Sequence, residues 1–240
     1  MKRTILLIGL VVAAGFTSIA QEKVIRDANV EKREVPAFHS IRVGDGIDLY
    51  LTQSDEEGVA VSANKIEDRD KIRTEVENGV LRISYGRSGG VVIGWRNRSL
   101  KAYVSVKTLK ELRAGGGSDV YAESGLTVGD FKLHVSGGSD FRGTINAENL
   151  ELRASGGSDI RISGKAVNLK ASCSGGSDIY AFDLEAEYAF VSAGGGSDAR
   201  VHVTRELGAE ASGGSDIDYK GDPVIKYKST GGGSSVSRRN

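Results

Sequence analysis

The second half of the chain alternates apolar and polar residues with a period of two, and the alternation restarts at regular intervals. Aligned on a recurring Gly-Gly-Ser-Asp, the positions two before the first Gly are Ala114, Val135, Ala154, Cys173, Ala193 and Ala211. Four before it stand Leu112, Leu133, Leu152, Ala171, Val191 and Ala209, and between them lie Arg113, His134, Arg153, Ser172, Ser192 and Glu210. Directly after the Asp comes another apolar column: Val120, Phe141, Ile160, Ile179, Ala199 and Ile217. Alternation of this kind predicts strands with one face inward. The Gly-Gly-Ser arc, which tolerates positive φ and close backbone approach, predicts a turn joining two such strands.

The motif itself sets the architecture. Its six copies end at Asp119, Asp140, Asp159, Asp178, Asp198 and Asp216, and Gly232-Gly233-Ser234-Ser235 is a degraded seventh. Successive intervals of 21, 19, 19, 20, 18 and 19 residues are those of a solenoid, in which one coil cannot bury its apolar face alone. Further breaks at Gly143, Gly164 and Gly221 leave room for a short third side. The prediction is an all-β chain whose residues 109–240 form a right-handed parallel β-helix of about seven coils, 18–21 residues each. Residues 21–108 lack the motif and are expected to be an irregular β-rich section that caps or starts the solenoid. Within it, Asn78-Gly79 predicts a primed hairpin turn between Thr74–Val76 and Val80–Tyr85. Glu111, Lys132, Glu151 and Lys170 alternate in sign and are expected to oppose one another on stacked coils. Lys226 and Lys228 fall in formerly apolar columns of the last coil, where charge discourages edge-to-edge stacking.

Composition narrows the function classes. Residues 1–20 combine Lys2 and Arg3, an apolar run from Ile5 to Ala14 and small residues in Ser18-Ile19-Ala20, which together predict an export signal cleaved before Gln21. The protein is therefore expected in the periplasm, on the outer-membrane surface or outside the cell. No later apolar run is long enough to span a bilayer as a helix. Without Lys2 and Arg3, 30 basic residues face 32 acidic ones, a net charge of −2, which disfavours nucleic acid as a partner. The single cysteine, Cys173, excludes an intramolecular disulfide and falls in the small inward column, as a core residue would. No cofactor signature is present.

The chain resembles the head GIN domain family of auto-transporter adhesins, exported β-helical proteins of Gram-negative envelopes. The resemblance rests on Phe38-His39-Ser40-Ile41-Arg42-Val43 leading to Gly46-Ile47-Asp48-Leu49, then Glu77-Asn78-Gly79-Val80-Leu81-Arg82-Ile83, then the Gly/Ser-rich repeats. It implies a β-helical fold and a role in adhesion, and brings no catalytic residues with it.

Three groups of residues are candidates for chemistry. Six stacked carboxylates ~4.8 Å apart would repel by ~1 kcal/mol per adjacent pair in water, or ~3.5 at an effective dielectric of 20. Solvent and hydrogen bonds from Gly and Ser amides in an Asx-type turn would relieve this. Calcium held along Asp119, Asp140, Asp159, Asp178, Asp198 and Asp216 is the rival reading, although the spacing is not that of the nine-residue calcium repeat. Outward of the motif, Tyr121, Arg142, Arg161, Tyr180 and Arg200 form a strip able to take an acidic glycan by ion pairing and stacking, or to be a solvated face. Trp95, Arg96 and Arg98 combine residue types favoured at binding hot spots, while Trp95 also suits covering the end of the core. His39, His134 and His202 lack metal-ligand spacing, His134 and His202 read as solvent-facing strand positions, and no serine shows a nucleophile elbow or a histidine partner. The expected function is that of a non-catalytic envelope or surface adhesin binding a cell-surface glycan or protein. The alternative is a polysaccharide-binding or polysaccharide-cleaving β-helix.

Overall fold

The computed structural model describes residue 27, residues 29–86 and residues 99–239. The export signal and the Trp95, Arg96 and Arg98 group lie outside the described residues. Those described form a β-solenoid of about seven turns, whose strands all belong to one hydrogen-bonded sheet wound on itself.

The regular part is built of long bent strands, one per coil. These are β9 (Val120–Ser136), β10 (Phe141–Ser155), β11 (Ile160–Ser174), β12 (Ile179–Gly194) and β13 (Asp198–Ser212). Each runs parallel to its neighbours, and equivalent residues stack: Phe141 opposes Val120 and Ile160, Leu152 opposes Leu133 and Ala171. The three inward columns read from the alternation are buried throughout, Cys173 included. Burying one such Ile or Leu stabilises by ~1.5–3 kcal/mol, and the contacts lie almost wholly between adjacent coils.

Both residues of each Gly-Gly pair are left-handed, as at Gly156 (φ 69) and Gly157 (φ 73), which turns the chain through the arc without a side-chain penalty. The short third side is made by a bend inside each long strand rather than by a separate strand. At Gly164 (φ 117) a Cβ would collide with the Ile145 carbonyl of the coil above, so glycine is required at that corner.

The N-terminal section is more regular than expected. β1 (Glu31–Arg33), β2 (Ser40–Val43), β3 (Ile47–Gln53) and β4 (Gly58–Ala63) come first. The helical turn α1 (Ile66–Arg69), β5 (Ile72–Glu77), β6 (Val80–Tyr85), β7 (Leu100–Val106) and β8 (Glu111–Ala114) follow. β2 and β3 form a full coil in register with the repeats, since β2 pairs β8 and β3 pairs β9 in parallel. Asp45 (φ 63) and Gly46 (φ 72) turn the arc between them. Two later strands, β6 and β7, stack on the far side of this coil. The first coil in sequence is therefore the second in space. Antiparallel β5, β4 and β1 then cover that end, with β5 and β6 joined through the expected Asn78-Gly79 turn.

At the other end, β14 (Asp216–Lys220), β15 (Val224–Gly231) and β16 (Ser235–Arg238) complete the stack. A register shift after Leu207 places Ile225 opposite it, so Lys226 leaves the inward column predicted for it and pairs with Glu206 at 3.4 Å. Lys228 does take the inward register, opposite Ala209, and its Nζ donates to the Val236 carbonyl at 2.9 Å. The alternating charges also differ from expectation. Glu111, Lys132, Glu151 and Lys170 are register neighbours, but Glu111 and Glu151 each hold the Arg two residues along their own strand, at 2.6 Å. A partner on the same strand and face is closer than a flexible lysine one rung away.

Candidate functional site

Two parallel ladders run down the face that follows the arcs. Strict alternation after the Gly pair puts Ser inward, Asp outward, the aliphatic residue inward and the Tyr or Arg outward. The serines, Ser118, Ser139, Ser158, Ser177, Ser197 and Ser215, are fully buried, a role that sequence reading left unassigned. In the first coils the hydroxyl accepts a backbone amide of the coil above: Ser118 from Ile47 at 3.0 Å, Ser139 from Ser118 at 2.9 Å and Ser177 from Ser158 at 3.1 Å. From Ser197 onward the hydroxyl turns to close its own arc, donating to the Gly194 carbonyl at 2.7 Å. Buried hydroxyls are satisfied in both arrangements.

The aspartates are relieved in a different way from the local Asx turn expected. Oδ1 of one rung accepts the backbone N–H of the next Asp: Asp140 to Asp119 at 3.1 Å, Asp159 to Asp140 at 3.2 Å, Asp198 to Asp178 at 3.0 Å and Asp216 to Asp198 at 3.2 Å. The other oxygen faces the adjacent column. Arg161 reaches Asp159 at 2.9 Å and Asp140 at 3.8 Å, Arg200 reaches Asp198 at 3.8 Å, and the Tyr180 hydroxyl donates to Asp178 at 2.9 Å. That hydrogen bond, followed by partial burial, pushes the Tyr180 phenol up. Amides and guanidinium groups thus satisfy the carboxylates at these rungs. Among the described residues no three His, Cys, Asp or Glu side chains gather as a metal site.

The Tyr/Arg strip is longer than its sequence candidates. Tyr121, Arg142, Arg161, Tyr180 and Arg200 lie in one register column, as expected. Tyr50 and Tyr103 extend it, because β3 and β7 stack above β9. Tyr103 and Tyr50 stack at 5.1 Å between ring centroids, and Tyr50 and Tyr121 at 5.2 Å. Further along, the guanidinium groups of Arg161 and Arg200 sit 4.6 and 4.8 Å from the Tyr180 ring centre. The repeated trio Asp48-Leu49-Tyr50, Asp119-Val120-Tyr121 and Asp178-Ile179-Tyr180 was the available signal. Asp48 is the first rung of the Asp ladder, and burial, then the Asp119 carboxylate, push its carboxyl up.

Electrostatics alter the reading of this face. Six carboxylates from Asp48 to Asp198 stand beside only three guanidinium groups in the next column, and Arg161 and Arg200 are already paired. The strip is an aromatic face bordered by an acidic ladder. Arg142 is the one guanidinium of the strip with no carboxylate partner among the described residues.

The family model described as "Putative auto-transporter adhesin, head GIN domain" matches residues 37–223, from the strand before the first arc to beyond the last complete motif. The chain belongs to the head GIN domain family. Its fold is shared with a "putative adhesin" from Bacteroides fragilis NCTC 9343, at 22% identity and a TM-score of 0.79, covering 88% of this chain and 96% of the other. A "putative adhesin" from Parabacteroides distasonis ATCC 8503 is 25% identical with a TM-score of 0.70, over the same shares of both chains. A protein from the same organism described as "putative lipid binding protein" is 23% identical with a TM-score of 0.66, again covering 88% and 96%. No curated protein matches the chain. Solenoids of one architecture thus carry different descriptions, and function has to be argued from the surface.

Other candidate groups settle into structural places. The Cys173 thiol is buried, which pushes its pKa up to about 11, and it faces the Asp198 carbonyl at 3.6 Å. One serine does have a histidine partner that sequence reading missed: His39 Nδ1 lies 2.9 Å from Ser40 Oγ. Ser40 is buried and adjacent in sequence, and no carboxylate contacts His39 among the described residues.

Proposed function

We propose that this head GIN protein is an exported, non-catalytic surface adhesin that engages carbohydrate through the Tyr103–Tyr50–Tyr121 stack and Tyr180. The observation carrying this reading is the single register column of rings and guanidinium groups from Tyr103, whose hydroxyl donates to Asp27, to Arg200. Tyrosine supplies a large, rigid, amphipathic contact at low entropic cost, and a sugar can lie along the outer edges of the stacked rings with its hydroxyls meeting the Asp ladder. The acidic border favours neutral sugars over uronates. Non-catalysis is supported by the 18–21-residue spacing of the motifs, which leaves no room for long cleft-forming loops there, and by the buried, unactivated thiol of Cys173. The family's description supports a place at the cell surface, as do the features of residues 1–20.

A glycan array probed with the purified protein tests this. Neutral glycans should be retained, and replacing Tyr50 and Tyr121 together with Ala should weaken binding by about tenfold or more at an unchanged fold. Undiminished binding by that variant would overturn the assignment. Incubation with the bound polysaccharide should release no new reducing ends, and steady release would make the protein an enzyme.

A further inference from the structure

A second ladder lies on the other face, the one leading into the arcs. Parallel pairing puts Arg82, Arg42, Arg113, His134 and Arg153 in consecutive register, one per rung. Four guanidinium groups and an imidazole thus stack over ~19 Å, four intervals of ~4.8 Å. Like charges at this spacing repel, so the column needs counter-charge. The chain supplies part of it. Glu77 lies 3.6 Å from Arg82, Glu111 2.6 Å from Arg113 and Glu151 2.6 Å from Arg153. Arg42, between Arg82 and Arg113, contacts no carboxylate among the described residues. His134 Nε2 has no hydrogen-bond partner and stands 3.9 Å from Glu151. Burial first, then Arg113, hold this imidazole below its usual pKa.

The Asp ladder makes the contrast informative. There, backbone amides and neighbouring guanidinium groups satisfy the like charges from within. In the basic column no backbone carbonyl accepts from the four guanidinium groups among the described residues, and one carboxylate accepts from only two of a guanidinium's five donors. The remaining donors of exposed Arg82, Arg113 and Arg153, together with Arg42, face solvent in single file. On the arc side the next outward column is Gly44, Gly115, Ser136 and Ser155, so a shallow trough of small and hydroxyl-bearing residues runs beside the cations.

We infer that the Arg82–Arg42–Arg113–His134–Arg153 column binds a linear acidic polysaccharide lying along the solenoid axis, its anionic groups on the guanidinium ladder and its sugar hydroxyls over the Gly/Ser trough. A column one residue wide matches an extended chain better than a membrane plane, and it lacks the aromatic platforms that single-stranded nucleic acid uses. This surface is separate from the tyrosine strip, so either can fail alone.

The full chain should bind immobilised polygalacturonate, a carboxylate on every sugar, at low ionic strength, with affinity falling as salt is raised. R42Q/R113Q should weaken that binding by about tenfold or more, because charge-assisted bonds are lost at two rungs. R42K/R113K should retain much of it. R142Q/R161Q, on the other face, should leave it unchanged, and all variants should melt close to the parent. Absence of binding to polygalacturonate and to dextran sulfate would overturn the inference. So would equal loss in R142Q/R161Q, or binding of single-stranded DNA as tight as that of the polysaccharides.

Discussion

At the scale of single residues, each position of Gly-Gly-Ser-Asp has a distinct duty. The glycines supply left-handed turns, the serine a buried hydrogen-bonding hinge, and the aspartate an acceptor for the amide one coil on. The aspartate's duty needs an oxygen at Oδ1, not a charge, which separates its structural and metal-binding readings. Asp140→Asn keeps the acceptor for the Asp159 amide and removes repulsion from Asp119 and Asp159, while giving up the Arg161 contact at 3.8 Å. That pair is exposed on the arginine side and contributes ~0–1 kcal/mol, so the melting temperature of the Asn variant should stay close to the parent or rise. Asp140→Ala should cost ~1–3 kcal/mol, since the Asp159 amide loses its acceptor. If calcium sat on the ladder, the parent would show a chelator-reversible rise in melting temperature on adding Ca²⁺, and the Asn variant would lose it. We expect no such rise.

At the scale of elements, the alternation dictates which substitutions matter. Leu152 is fully buried between Leu133 and Ala171, while Arg153 points outward. Leu152→Lys should therefore destabilise by several kcal/mol, having placed an unpaired charge in the core, and Arg153→Lys should change stability by ~0.5 kcal/mol or less. Thermal melts of the two variants check this, and equal effects would mean that the column assignment is wrong. These columns were legible because a period of two and a repeat near nineteen reinforce each other. The Asn78-Gly79 hairpin was legible because its turn has a local backbone requirement. What escaped the sequence was non-local. The coil of β2 and β3 is separated from its stacking partner β8 by a coil that comes later in the chain, so no fixed interval marks it. Ile47 stands where the repeats have serine and Asp45 where they have glycine, which disguises the arc. Because Tyr50 and Tyr103 belong to these displaced coils, more than half of the aromatic stack was hidden too, as was the continuity of Arg82 and Arg42 with Arg113.

At the scale of the whole molecule, a solenoid has two ends, and each is a potential template for another copy. The N-terminal end is covered by antiparallel β5, β4 and β1. The C-terminal end is guarded more thinly. β15 is exposed along its whole length, with Val224, Ile225 and Tyr227 presenting apolar surface to solvent. What stands against pairing there is Lys228, which occupies an inward register position with no coil stacked beyond it among the described residues and reaches across to the Val236 carbonyl. A second copy docking on this edge would have to bury that amine or break its hydrogen bond, at a cost of several kcal/mol. Lys228→Leu removes the obstacle and continues the apolar column of Val191 and Ala209, while touching nothing on either proposed binding face. Sedimentation velocity should therefore show a larger, concentration-dependent species for the variant than for the parent at the same loading. Identical sedimentation of the two would mean that the exposed backbone of β15 and its geometry, rather than the buried-charge penalty, determine how the solenoid ends.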